Sequence, residues 1–236
     1  QYISLPRISK EKIEKIKLND INLKFLGYGN KRINLGDLKA NKFKIKFTEK
    51  LPKINFFENY FDEQRFGINH NNHVLGKLII KKEFEKIDSL LKLQKNSHEY
   101  NIKLRFYFNS YQSYLFNLAL SEYLFNYNHK LLNYSLGKFV FINKKIKNFK
   151  ISLLNFDTEL KGKIGKIYKR LLKKENIKLD DFLVKSIPFL VSDTQERDAF
   201  VEVKDLTKKN NYIYFTLPKG AYATIFVKKL LLFNSV

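Results

Sequence analysis

The sequence predicts an α+β domain interrupted by a helical insertion. Three observations carry this reading. Segments with strict two-residue alternation lie towards both ends of the chain, stretches with helical periodicity lie between them, and no internal repeat or low-complexity linker divides the two.

Near the start, Ile21, Leu23 and Phe25 alternate with Asn22 and Lys24. Phe43, Ile45 and Phe47 then alternate with Lys42, Lys44 and Lys46. A period of two with one apolar face predicts two half-buried strands. The loop between them, GYGNKRINLGDLKAN, has Gly27, Gly29 and Gly36 for turns and close backbone approach, with charge at Lys31, Arg32 and Lys39. Residues 84–94 change to helical spacing, with Phe84, Ile87, Leu90 and Leu91 on one side. Residues 110–124 do so more strongly through Tyr111, Tyr114, Leu115, Leu118, Ala119 and Tyr123. A third helix is predicted over 158–174, its apolar stripe formed by Leu160, Ile164, Ile167, Leu171 and Leu172. Its other faces carry Lys161, Lys163, Lys166, Lys169, Arg170 and Lys173, which suit a solvated surface and an RNA-facing one equally. Residues 212–217 read as a strand, 218–220 as a turn, and 221–232 as an apolar strand or helix.

Lys and Arg number 45 against 23 Asp and Glu, a formal charge of +22 on a chain whose 44% hydrophobic content can fill a core. A basic globular chain is suited to a polyanion, because neutralising phosphates releases their counterions. The lysine excess, with abundant Asn, Ile and Phe, also matches the residue usage of an AT-rich genome, so charge alone does not decide the matter. Without cysteine there is neither a disulfide framework nor a thiolate metal site. No apolar run approaches the roughly 20 residues of a membrane span, and no signal-peptide pattern opens the chain; a cytoplasmic location is expected. Gln1 stands where Met would, and no methionine occurs at all, so residue 1 is not taken as a natural start.

Most catalytic signatures are absent. GYGNKR lacks the third glycine of a dinucleotide fingerprint, and there is no phosphate-loop pattern. His70 and His73 in HNNH have no third ligand nearby and are read as loop residues, not a metal site. Asp180 and Asp181 read as a helix cap. The remaining feature is NYFDEQRFG, residues 59–67, where aromatic and polar side chains crowd into nine positions. Enzymes that act on a base extrude it and hold it by stacking and by hydrogen bonds to its edges. Phe61 or Phe66 can stack, Asn59 offers an amide, and Arg65 suits a phosphate contact or a salt bridge; an ordinary aromatic core beside a turn explains the same residues.

NYFDEQRFG closely resembles the N-Y-F-G-x-Q-R-F-G motif of the TruD family of tRNA pseudouridine synthases, departing at Asp62 where the family has glycine. Three further stretches follow in the family's order. GYGNKRINLGDLKANKF is similar through Lys31, Leu35, Gly36, Leu38, Lys39, Asn41 and Phe43. SYQSYLFN resembles S-x-x-x-S-x-x-F-N through Ser110, Ser113, Phe116 and Asn117. LPKGAYAT resembles L-P-x-G-S-Y-A-T, with Ala221 replacing serine.

The resemblance implies a pseudouridine synthase catalytic module, α+β with a mixed, largely antiparallel sheet, at residues 1–84 and 201–236. The family's insertion domain would occupy 85–200. It further implies isomerisation of uridine to pseudouridine in tRNA at position 13, without cofactor or metal; the basic surface gives no reason to expect oligomers, and a monomer is expected. Gln1 resembles the last residue of G-x-K-D-K-x-A-x-T-x-Q, which places the nucleophilic aspartate just ahead of the given sequence. That aspartate either attacks the nucleotide or abstracts a ribose proton. Asn59 is expected to hydrogen-bond the aspartate or the nucleotide, Phe61 to wall or stack on the uracil, and Gln64 and Arg65 to brace the pocket. For Gln64 and Phe66, core support is favoured over substrate contact. Lys31, Arg32 and Lys39 are expected at tRNA phosphates, with the lysines of 158–174, and LPKGAYAT beneath the site. A noncatalytic basic RNA-binding protein is the alternative; a DNA-binding protein lacks any supporting motif.

Overall fold

The computed structural model describes residues 3–6, 8–34 and 37–234, so the expectations placed on Gln1, Leu35 and Gly36 lie outside the described residues. The first half contains α1 (Lys10–Glu14), β1 (Ala40–Lys46), β2 (Phe56–Glu58), α2 (Asn72–Ile80), α3 (Phe84–Leu91) and α4 (His98–Leu124). Then come β3 (His129–Tyr134), β4 (Gly137–Ile142), β5 (Lys150–Leu153), α5 (Gly162–Glu175), β6 (Gln195–Asp198) and β7 (Phe200–Glu202). The chain closes with β8 (Lys204–Lys209), β9 (Tyr212–Pro218) and α6 (Ala223–Asn234). This is the α+β class that the two periodicities predict.

The sheets unite the chain ends. β1 pairs antiparallel with β9, and β9 with β8, giving the order β1-β9-β8. Alternation in β1 sends Phe43 and Ile45 inward and its lysines outward, and Phe43 stacks on its cross-strand partner Phe215 at 5.2 Å. β2 pairs with β7, β3 with β4, and β5 with β6; every pairing among the described residues is antiparallel. The segment 221–232 resolves to the helix α6. Phe226 of α6 meets Phe215 of β9 and Phe57 of β2, which fastens the three-stranded sheet to β2.

α4 is the spine of the middle of the chain, and the helix predicted over 110–124 is its second half. Its start is capped by Ser97, whose hydroxyl accepts the Tyr100 N–H. α2 lies against it at Gly76, where an added Cβ would sit 2.1 Å from the Tyr107 carbonyl oxygen, so only glycine permits this approach. α5 also packs on α4, burying Ile167, Tyr168, Leu171 and Leu172, and its end meets α2 where Glu175 accepts from Lys77 at 2.6 Å.

Two expectations need correction. Residues 21–25 form no strand: Ile21 and Leu23 are exposed, and no backbone among the described residues pairs with the segment. Alternation supplies an amphipathic ribbon, but a strand also needs a partner for its N–H and C=O groups. The helix predicted from residue 158 starts at Gly162, because Thr158 closes a turn instead, its hydroxyl accepting the Asn155 N–H at 2.8 Å. Asp181 does act as a cap, accepting the Lys178 N–H at the head of a 3-10 helix at Leu179–Phe182.

The segments from the chain ends and the middle share one apolar core. A buried ion pair crosses it: Lys229 of α6 donates to both carboxylate oxygens of Glu58 at 3.1 Å, and Glu58 also accepts the Ile142 N–H of β4 at 2.9 Å. Both side chains are fully buried. Burial raises the Glu58 carboxyl and lowers the Lys229 ammonium, and each charge partly offsets the other's shift.

Candidate active site

β2 leads directly into NYFDEQRFG. The β2–β7 ladder is extended by the Asn59 N–H, which donates to the Ala199 carbonyl at 2.8 Å. The chain then tightens into a 3-10 helix at Glu63–Phe66, for which Asp62 is the cap. Asp62 has φ −88°, so a side chain is admitted where the family motif has glycine. Its carboxylate is occupied structurally, accepting the Glu63 N–H at 2.9 Å and pairing with Lys228 of α6 at 2.5 Å. Gly67 ends the turn with φ +83°, and a Cβ there would meet the Asn72 amide at 2.7 Å.

α4 holds this motif through SYQSYLFN. Ser110, Ser113 and Asn117 recur at three- and four-residue spacing and therefore share a face of the helix. Ser110 donates to the Arg65 carbonyl at 3.0 Å, and Ser113 accepts from Arg65 Nε at 3.1 Å. Asn117 clamps the Phe61 peptide, its Oδ1 accepting the N–H at 2.9 Å and its Nδ2 donating to the carbonyl at 2.8 Å. Phe116 meets the Phe61 ring edge-on at 5.5 Å.

The Phe61 ring walls a cavity of about 510 Å³, together with Arg65, Gln112, Leu153, Phe189 and Arg197. Two guanidinium groups face that ring, Arg197 at 4.2 Å from its centroid and Arg65 at 5.6 Å. Arg197 is fixed by three donations: to the Asn59 carbonyl at 2.8 Å, to Asn59 Oδ1 at 2.5 Å and to the Gly220 carbonyl at 3.0 Å. Neither guanidinium has a carboxylate within ion-pair distance among the described residues. Burial pushes Arg197 down to about 10, and it lowers Arg65 as well. The site holds desolvated positive charge beside an aromatic face, an arrangement that stabilises an anionic, ring-bearing ligand.

Of the residues singled out by sequence, Asn59, Phe61 and Arg65 come together. Asn59 does not line the Phe61 cavity and reaches it only through Arg197; with Lys39 it lines a second cavity of about 520 Å³. Its amide is engaged at both ends, since Nδ2 donates to the Asp198 carbonyl at 2.9 Å. Gln64 is exposed on the outer side of the 3-10 helix, whereas Phe66 is fully buried in the core. Lys31 and Arg32 are exposed on an irregular segment away from both cavities. LPKGAYAT contributes the Gly220 carbonyl and Tyr222, whose ring lies 6.1 Å from Phe61. Arg197 was missed by sequence reasoning. It lies in no motif, and its one signal is its nearness to the expected boundary at 200, where the insertion rejoins the module. His73 packs tilted against Tyr114 at 4.6 Å, and the described residues contain no group of three or more His, Cys, Asp or Glu that could hold a metal.

Fold and site together define an α+β protein with an aromatic-walled pocket between the Phe61 turn and the middle of the chain, lined by Arg65, Arg105 and Arg197 and by Asp193 and Glu196. The family model for tRNA pseudouridine synthase D (TruD) matches residues 1–103 and 138–230, and the chain belongs to that family. A relative from Archaeoglobus fulgidus, named as a probable tRNA pseudouridine synthase D, is 25% identical over 98% of this chain and 78% of its own length. One of the same name from Thermococcus onnurineus is 40% identical over 100 residues, 36% of this chain; that match spans about a quarter of the relative, 24%. A crystal structure from Methanosarcina mazei, also titled as a TruD protein, superposes with a TM-score of 0.57 at 21% identity. It covers 94% of this chain and 76% of the other, a likeness that shows the fold.

Proposed function

We propose that the protein converts uridine to pseudouridine in tRNA, at position 13, using neither metal nor cofactor. The reaction is an isomerisation: the N-glycosidic bond breaks, and the same uracil rejoins the ribose through carbon. The observation that carries this reading is the Phe61 face, set on the family's own motif, with the Arg65 and Arg197 guanidinium groups over it and no carboxylate within ion-pair distance of either among the described residues. An RNA phosphate and the aspartate expected ahead of Gln1 are both anions that these groups can hold, beside Asp193 and Glu196, which line the same cavity.

In this reading Phe61 walls or stacks on the extruded uracil, Arg65 and Arg197 neutralise the anion, and Asn59, its amide engaged at both ends, orients Arg197. Lys39, with Lys31 and Arg32, contacts tRNA phosphates. The catalytic module comprises 1–84 and 201–236, a division supported by the β1–β9 pairing and by β2 with β7, and 85–200 forms the insertion. No helix among the described residues is long and apolar enough to cross a membrane. Action in the cytoplasm, where tRNA is met, and as a monomer whose +22 charge opposes self-association, completes the proposal.

The test is to incubate the complete protein with tRNA carrying uridine or cytidine at position 13, then digest the RNA and separate its nucleosides. Pseudouridine is expected from the first substrate and not from the second. A noncatalytic RNA-binding protein would bind both and leave every uridine intact, which would overturn the reading.

A further inference from the structure

A second groove, larger than the candidate site, lies between α4, the β3–β4 hairpin and α5, with a volume of about 1150 Å³. Sites for single small molecules occupy roughly 300–1,000 Å³, so this one has room for a length of polymer. It stands apart from the Phe61 cavity. Arg105, Phe108, Asn109 and Gln112 of α4 line that cavity, whereas Tyr114, Leu118, Ser121 and Phe125 line the groove, about half a turn around the helix. The α4 wall of the groove also falls between the two stretches that the family model matches.

Two kinds of side chain line it. One wall presents Tyr114, Tyr123, Phe125 and Tyr127; Phe125 is 58% exposed, unusual for a phenylalanine with a core nearby. The other presents Lys163, Lys166, Arg170 and Lys174, spaced three, four and four residues apart along one face of α5, with Lys138 of β4 beside them. Lys161, Lys169 and Lys173 do not line the groove, so only part of the helix's charge is directed there. Arg170 pairs with Glu122, but Lys138, Lys163, Lys166 and Lys174 have no ion pair among the described residues. Cations on one wall and aromatic faces on the other are what a single strand of nucleic acid requires, since bases stack on rings while phosphates meet lysines. A basic protein surface alone would lack the rings, and an apolar peptide site would lack the row of like charges.

We infer that this groove binds a single-stranded stretch of RNA, a second hold on the substrate across α4 from the Phe61 cavity. As a part of the tRNA it rests on the function proposed above; as a single-strand site it stands on its own geometry.

The experiment uses the complete protein and measures binding of a fluorescent oligouridylate, and of tRNA, over a range of salt concentrations. The variant Lys163→Ala/Lys166→Ala/Lys174→Ala should bind the oligonucleotide at least about tenfold more weakly, with a salt slope shallower by roughly two, near 0.7 per lysine lost. Phe125→Ala should weaken binding roughly tenfold at unchanged slope, because it removes stacking and no charge. Lys161→Ala/Lys169→Ala/Lys173→Ala removes the same charge from outside the groove and should have a clearly smaller effect. Equal losses in the two lysine triples, or wild-type binding by Phe125→Ala, would overturn the inference. If the complete protein forms no pseudouridine while the groove variants still lose the oligonucleotide, the enzymatic reading fails and the groove stands. If pseudouridine forms and the groove variants bind as wild type, the groove fails alone.

Discussion

The carboxamide of Asn117 and the peptide of Phe61 form a two-way clamp, N–H to Oδ1 at 2.9 Å and Nδ2 to the carbonyl at 2.8 Å, both buried. A side chain thus satisfies one residue's backbone as a neighbouring strand would, and it fixes the wall of the candidate site to the longest helix. Asn117→Ala leaves two buried backbone groups unpaired, at about 1–3 kcal/mol each. Urea unfolding should register a loss of roughly 2–5 kcal/mol, with pseudouridine formation reduced as Phe61 loosens. A change below about 0.5 kcal/mol would mean that the clamp does not stabilise the fold.

Asn59 and Arg197 act as a unit, because two of the three Arg197 donations end on Asn59. In the complete protein, Asn59→Ala should lower turnover at least about tenfold, while tRNA affinity, spread over many phosphates, changes little. Arg197→Lys keeps the charge but cannot reproduce the forked donation. It should show the same split between kcat and tRNA affinity; wild-type kcat in both variants would remove them from the site.

The Glu58–Lys229 pair offers a double-mutant test. Breaking it with Glu58→Gln strands a buried ammonium and should cost about 3–5 kcal/mol. Glu58→Leu/Lys229→Met removes both charges and should recover most of that loss, although the Ile142 N–H loses its acceptor. Strictly additive costs would show that the two residues are not coupled.

His73 predicts a pH dependence. Burial against Tyr114 and Phe66 lowers it below its ordinary 6.5, opposed in part by the Glu175 charge. Between the lowered value and 6.5 the unfolded chain therefore binds more protons than the folded one. The stabilising contribution is complete above about pH 6.5 and is lost as pH falls through the folded value. The urea midpoint should fall between about pH 7 and pH 5, and less steeply in His73→Phe. Parallel slopes for the two proteins would exclude His73 as the cause.

Local pattern was enough to reveal β1, β9 and the second half of α4. In each, the periodicity of one segment already states which face is buried. Asp62 shows the limit: its place in a motif flagged it, but only the nearby Lys228 ammonium explains how a carboxylate is held there. The amphipathic ribbon at 21–25 failed as a strand for want of a backbone partner, a requirement that no segment can meet by itself.

By itself, then, the sequence determined the α+β class and the positive charge, because composition and short-range spacing encode them, and its resemblance to the TruD motifs singled out the residues of the Phe61 turn. Tertiary structure alone decided that Arg197, 138 residues beyond Asn59, would lie on the Phe61 ring. It also decided that opposite faces of one helix would line two separate grooves. Both depend on where distant segments pack, and packing is set by the summed contacts of the whole core.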